Sequence, residues 1–386
     1  MGNKLLLACL LIFSFFLAFG SYDPLFSPTG SYSVIIISVM LFIFIFFVMC
    51  WEIILRKFSL SIFYLFLILY IFTFSSVAYG DANFDKDIFN YKFFVCILFF
   101  LALTEYLKIN PKYIHYSLMM FSFGVIIFVL LLYTFLSNGL ELNNGRLLVF
   151  GENPNSTSSR FTIAFIYVVY LCFHNPFRWN LSRFNLLFLL LPVLFMVVQS
   201  GSRGSLLSLL ACTGVIIYLS KAGLLYKASI SLIIILLTPF FVDYLMENGN
   251  MYQRLMDSFV NGGTAGRDVI WNAAIDIIME NPLFGVGEAG YFDEVTAILG
   301  YPIDTHNILL YVAACGGISS LILFLLFYFK LISIAYAKLK TKDVIPFALL
   351  LNITLIALKT GGVLTYLIMW YVFSLIYSYK SLKLEG

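Results

Sequence analysis

Apolar runs, punctuated by charge and by turn residues, dominate the pattern of the chain. Twelve of them lie near 4–20, 32–51, 58–79, 91–107, 115–136, 160–173, 184–198, 204–219, 226–246, 307–329, 344–358 and 363–379. A membrane-crossing helix needs about 20 mostly apolar residues, so each run predicts a span, with the sixth, seventh and eleventh short. The first run follows Lys4 and ends Ala18-Phe19-Gly20-Ser21, which also suits a signal peptide. An uncleaved span agrees better with the charge pattern below. Most connections are short, but residues 247–306 form one polar loop. A structureless loop of that length is uncommon and usually functional. Within it, RDVIWNAAIDIIME (267–280) carries a helical pattern, entered through Gly262-Gly263-Thr264-Ala265-Gly266 and stopped by Asn281-Pro282. A second polar loop covers 137–159. No internal repeat, low-complexity tract or soluble domain is evident.

Charge orders the spans. With the N-terminus in the cytoplasm and the loops alternating, 15 of the 23 basic residues fall inside and 16 of the 20 acidic residues fall outside. The sides then carry +11 and −8, and the positive-inside rule puts both termini in the cytoplasm. Composition agrees: of 386 residues, 62% are hydrophobic and 11% charged, with a mean hydropathy of +0.98. Soluble domains carry roughly 25% charged residues, so a water-soluble enzyme is excluded. The 42 Phe and 25 Tyr suggest large aromatic surfaces against lipid and headgroups. The six Cys are scattered singly and read as small apolar fillers. The expected fold is an all-α polytopic membrane protein of about 12 transmembrane helices. It forms a single transmembrane domain over 1–386, with both termini inside and the 247–306 loop, containing a short amphipathic helix, outside between helices 9 and 10.

Positive-inside topology disfavours external arginines, so each one asks for a reason. Arg203 sits in the Gly/Ser-rich break Ser200-Gly201-Ser202-Arg203-Gly204-Ser205, and Arg267 opens the loop helix. Guanidinium binds phosphate bidentately and stays charged, and a helix N-terminus also favours an anion. A headgroup anchor, or an ion pair with an external carboxylate, is the plainer reading of each. Arg146, Arg160 and Arg254 are further external cations. Of three histidines, His115 and His174 fall at the cytoplasmic edge; His306, in Asp304-Thr305-His306-Asn307, is the external one. Histidine is suited to take a proton from a hydroxyl near neutral pH, though a polar ring at a capped helix start would look the same. Gly285-Val286-Gly287-Glu288-Ala289-Gly290 matches GxGxxG, but without a βαβ context a dinucleotide reading fails. Asp293, Glu294 and Asp304 have no diagnostic cation spacing. No metal motif, cofactor motif or nucleic-acid patch is found. Two Arg and one His on one face suit an anionic lipid-linked substrate, with Arg on a diphosphate and His on an acceptor hydroxyl.

These segments carry a resemblance. SGSRGSLLSLL (200–210), GRDVIWNAAIDIIMENPLFGVGEAGYF (266–292) and DTHNILLYVAACGGI (304–318), with ENPNSTSSRF (152–161), resemble the O-antigen ligase/polymerase superfamily. The resemblance covers mainly the C-terminal two thirds; the first 130 residues add only hydropathy. It implies a metal-independent, inverting glycosyltransferase of the bacterial inner membrane, with its active site facing the periplasm. The substrates implied are undecaprenyl-diphosphate-linked oligosaccharides. By the same resemblance Arg203 and Arg267 would hold the donor diphosphate, and His306 would orient or deprotonate the acceptor hydroxyl. Arg160, Asn155, Arg146, Arg254 and Asn307 are the flanking substrate-binding candidates. Glu288 stands where the family often has Pro. A polymerase, using a second lipid-linked repeat unit as acceptor, would employ the extra cations; a ligase, with lipid A core as acceptor, shares the donor chemistry. A flippase or transporter would predict charges within spans and helices broken at mid-membrane. A chain-length regulator of the inner membrane is a candidate partner, beside membrane lipid, and no nucleic acid is expected.

Overall fold

The computed structural model describes residues 2–20, 42, 43, 46, 60–79, 89–110, 112–143, 145–174, 176–177, 185–232, 252, 253, 256, 266–359 and 364–379. The spans expected near 32–51 and 226–246 lie largely outside these residues, as do Cys50, Arg254 and Gly262–Ala265. Thirteen α-helices are present among the described residues. They are α1 (Gly2–Leu17), α2 (Leu60–Tyr79), α3 (Tyr91–Leu107), α4 (Lys112–Thr134), α5 (Pro154–Phe173), α6 (Asn185–Phe188), α7 (Leu190–Gln199), α8 (Arg203–Leu219), α9 (Arg267–Glu280), α10 (Gly287–Leu299), α11 (Ile308–Lys340), α12 (Ile345–Ala357) and α13 (Leu367–Ser378). Segments Ile62–Tyr79, Lys112–Thr134, Pro154–Phe173 and Ile308–Lys340 are long and apolar enough to cross a membrane. Shorter apolar helices accompany them, among them Arg203–Leu219 and Leu367–Ser378. This is a mostly helical, multi-pass membrane protein.

The centre of the bundle is α5, buried over 94% of its apolar window against 44% for α2. Its first turns run Pro154, Asn155, Ser156, Thr157, Ser158, Ser159, and small side chains let neighbouring backbones approach closely. Hydroxyls then tie helix to helix. Ser158 meets Ser205 of α8 at 2.7 Å, Ser14 meets Ser117, Ser117 meets Tyr371, and Ser208 donates to Asn352 at 2.5 Å. Aromatic residues lie on the outer surface, as composition suggested, among them Tyr70, Phe74, Phe123 and Phe329, but they also fill the interior. Trp370 is fully buried and packs against Phe93, Phe100, Phe327 and Phe373, with ring centroids 5.7–6.2 Å apart. Such pairs add to stability beyond the area they bury. The four buried cysteines among the described residues, Cys96, Cys172, Cys212 and Cys315, are free thiols, as expected of fillers.

Two polar connections hold more structure than the sequence suggested. In the 137–159 loop, β1 (Leu140–Asn143) pairs antiparallel with β2 (Arg146–Val149), Leu140 opposite Val149. In the 247–306 loop, α9 spans the expected Arg267–Glu280, but α10 is an additional helix that the sequence pattern did not single out. Nor does this loop simply leave the bundle, because residues 282–287 fold back onto α11. That helix is broken at Gly317, whose φ of 66° and ψ of −172° are non-helical. The break frees backbone groups, and the loop satisfies them. Ile318 N donates to Pro282 O (2.8 Å), Val286 N to Ala314 O (3.1 Å), and the Ser319 hydroxyl to Leu283 O (2.7 Å). From α2, the Ser75 hydroxyl donates to Phe284 O (2.6 Å). A Cβ on Gly317 would overlap the Leu283–Phe284 backbone, one on Gly285 the Ala314 carbonyl, and one on Gly287 Ser76. The GxGxxG string therefore serves close backbone packing. A broken helix is what a transporter would show, but here the chain's own loop occupies the break.

Candidate active site at one end of the bundle

Contacts between helix ends show which residues share an end. Asn90 caps the start of α3 and donates to Glu288 at the start of α10. At the other end of α3, Thr104 O accepts from Ser378 at the end of α13. Tyr366, at the start of α13, donates to Ser156 O and meets Ser159 in the first turns of α5. Ser158 of α5 meets Ser205 in the first turn of α8. The starts of α3, α5, α8, α10 and α13 thus lie together, and Arg203, Arg160, Asn155 and the 281–307 segment lie with them.

One group of residues forms where α8 begins. Ser202 caps the helix, accepting from Ser205 N, and Arg203 follows as its first residue, part-buried. Arg146, at the start of β2, reaches across the break: its Nε donates to Ser200 O (3.0 Å) and its Nη2 to Asn155 Oδ1 (2.9 Å). Gly201 has φ of 63°, and the Arg146 side chain packs against it. Arg146 and Asn155 therefore meet at the Gly/Ser-rich turn that leads into Arg203. Arg160 differs. Glu152 engages its guanidinium bidentately, Nη1 to Oε1 at 2.7 Å and Nη2 to Oε2, with both side chains under 9% exposed. Gly20 allows this, since a Cβ there would overlap the guanidinium. Arg160 is thus held by a carboxylate of its own chain.

A second group surrounds His306. Arg267 is the first residue of α9, after Gly266 in left-handed backbone (φ 75°), and no side chain caps the helix. Asn307 caps α11, accepting from Leu309 N and Leu310 N, so its side-chain oxygen is used by the helix. His306 has φ of 50°, one of three positive values at non-glycine positions among the described residues. Such backbone persists only where the surroundings hold it, and it clusters at functional sites. Asp304 Oδ1 accepts from His306 N (2.6 Å) and lies 2.7 Å from His306 Nδ1. The Thr305 hydroxyl donates to Asn307 O (2.6 Å) and accepts from Asn307 N (3.1 Å). Burial pushes the Tyr291 phenol up, so it stays protonated and donates to Ile303 O (3.2 Å). From α9, Trp271 donates to Thr305 O (3.0 Å).

Sequence reading passed over three of these residues. Asp304 was noted only as a weak cation candidate, and Trp271 only as part of a helical pattern. Glu288, marked as a departure from the family, accepts from Asn90 and from Tyr311 and so ties α10 to α3 and α11. Its signal was a carboxylate in an otherwise apolar, glycine-rich string. No grouping of His, Cys, Asp and Glu that could hold a metal ion occurs among the described residues.

Comparison with known proteins bears on the same segment. One solved structure, of a peptidoglycan synthase complex with coordinated polymerization and crosslinking, contains a chain similar to this one. It is 15% identical, aligned over 83% of this chain and 98% of that chain, with a TM-score of 0.44. No curated protein matches the chain. Residues 184–325 match the family model described as O-antigen ligase. That span runs from the helices before Arg203, through Arg267 and the loop docked on α11, to His306 and beyond the Gly317 break. Over that segment the chain is similar to the O-antigen ligase family.

Proposed function

We propose that the protein is a surface-polysaccharide polymerase of the bacterial inner membrane, with its active site at the periplasmic face. It would move a glycan from an undecaprenyl-diphosphate carrier onto the next lipid-linked repeat unit, inverting the anomeric centre. The observation that carries this reading is His306, held in left-handed backbone beside Asp304 on a turn bonded to the helix that begins at Arg267. The His306 imidazole would take the acceptor hydroxyl's proton as its oxygen attacks the anomeric carbon. The carbon–oxygen bond to the diphosphate breaks in the same displacement. The departing diphosphate carries its charge away, and Arg203 and Arg267 stabilise it, so no acid or metal is required. An apolar pocket supports a lipid-linked substrate. It is lined by Ile308, Leu309, Phe324, Leu325, Ile353 and Phe373.

A ligase would share the donor chemistry and differ in acceptor. The lipopolysaccharide of a deletion strain separates the two. A single repeat unit on the core is expected if the protein polymerises. Bare core with lipid-linked polymer accumulating would make it a ligase.

A further inference from the structure

Trp271 follows Arg267 by four residues on α9, so the two side chains leave the same face of the helix. A tryptophan at a membrane surface commonly serves as an anchor, its ring in the interface and its N–H toward headgroups. Here the indole N–H is spent on the protein. It donates at 3.0 Å to the carbonyl of Thr305, 34 residues away, in a residue with no exposed surface. The recipient carbonyl belongs to the peptide that joins Thr305 to His306, so the bond fixes the plane of that peptide. His306 directly follows, with φ of 50°, a conformation that needs outside support. The Asp304 and Thr305 side chains brace the turn from within, and Tyr291 holds Ile303 from α10. Trp271 braces it from the helix that opens with Arg267.

We propose that Trp271 is a positioning residue for the transfer reaction. Its indole couples the start of α9 to the turn that carries His306, and so sets the separation of the cation and the base. The inference rests on the roles given above to Arg267 and His306. A misplacement of the order of 1 Å in such a site can cost about a hundredfold in rate, whereas contacts to the lipid-linked donor made elsewhere would survive.

The test is turnover by protein reconstituted in liposomes, normalised to folded protein by size-exclusion elution and melting temperature. Trp271→Phe keeps a ring and removes the donor. It should lower kcat by about tenfold to a hundredfold with KM for the lipid-linked donor little changed. Trp271→His, which keeps a ring N–H, should recover part of the loss. In a His306→Ala background Trp271→Phe should cost nothing further, because residues acting as one unit are not additive. Wild-type kcat in Trp271→Phe, a loss that only tracks the amount of folded protein, or a full additional loss in the His306→Ala background would each overturn the proposal. If His306→Ala itself keeps full turnover, the reading of the site fails and takes this inference with it. Loss in His306→Ala beside full turnover in Trp271→Phe removes the inference alone.

Discussion

Arg203 and Arg267 each stand as the first residue of a helix, α8 and α9, where backbone N–H groups and the guanidinium can share one anion. Lysine keeps the charge but not the planar, bidentate fork. Arg203→Lys and Arg267→Lys should therefore lose polymer formation as Ala does, with normal amounts of protein in the membrane by immunoblot. Full activity of both Lys variants would reduce the two arginines to general anchors. Arg160 invites the opposite experiment. Its partner Glu152 is buried with it, and removing one member of a buried pair costs about 3–5 kcal/mol, because the other charge is left uncompensated. Glu152→Gln should accordingly lower the melting temperature in detergent, and the Glu152→Gln, Arg160→Gln double variant should regain part of it. An unchanged melt in the single variant would show that Glu152 does not neutralise Arg160. At this scale, sequence singled out Arg203, Arg267 and His306 by residue type and place. It could not reveal that Glu152 reaches Arg160, because eight residues across a helix start carry no periodic signature. The reach of Trp271 to Thr305 was equally hidden, since backbone carbonyls have no sequence identity.

Among the described residues, long apolar runs were legible as helices, and α9 ended where Asn281-Pro282 said it should. Four elements were less visible, for a common reason. The β1–β2 hairpin, α10, the loop docked on α11 and the break at Gly317 depend on backbone approach rather than on hydrophobic periodicity. Their trace in the sequence is glycine, and the packing role of the GxGxxG string has no periodic signature. Gly317 tests that role. Its φ and ψ lie in a region essentially reserved for glycine, and a Cβ there would overlap the Leu283–Phe284 backbone. Gly317→Ala should cost at least about 1–3 kcal/mol and open residues 281–287 to protease. A variant with the wild-type melt and digestion pattern would show that the loop is not seated in the break.

Across the whole molecule, the account joins a membrane bundle to a polar end. The bundle is held by interior hydroxyl ties and by rings packed around Trp370. At the polar end, Arg146 meets Asn155 before the helix that Arg203 opens, and the helix that Arg267 opens is bonded through Trp271 to the turn that carries His306. Composition alone pointed to a membrane protein, because that property sums over many residues and tolerates local error. Polymer formation is another matter, since acceptor choice depends on a few contacts that no composition reports. The most direct measurement uses purified protein in liposomes, with an undecaprenyl-diphosphate-linked repeat unit as the only glycan, added EDTA, and products resolved by gel. The account predicts a ladder of two and more repeat units, unaffected by EDTA and lost in His306→Ala. A product that never exceeds one repeat unit, or a ladder that survives in His306→Ala, would contradict it.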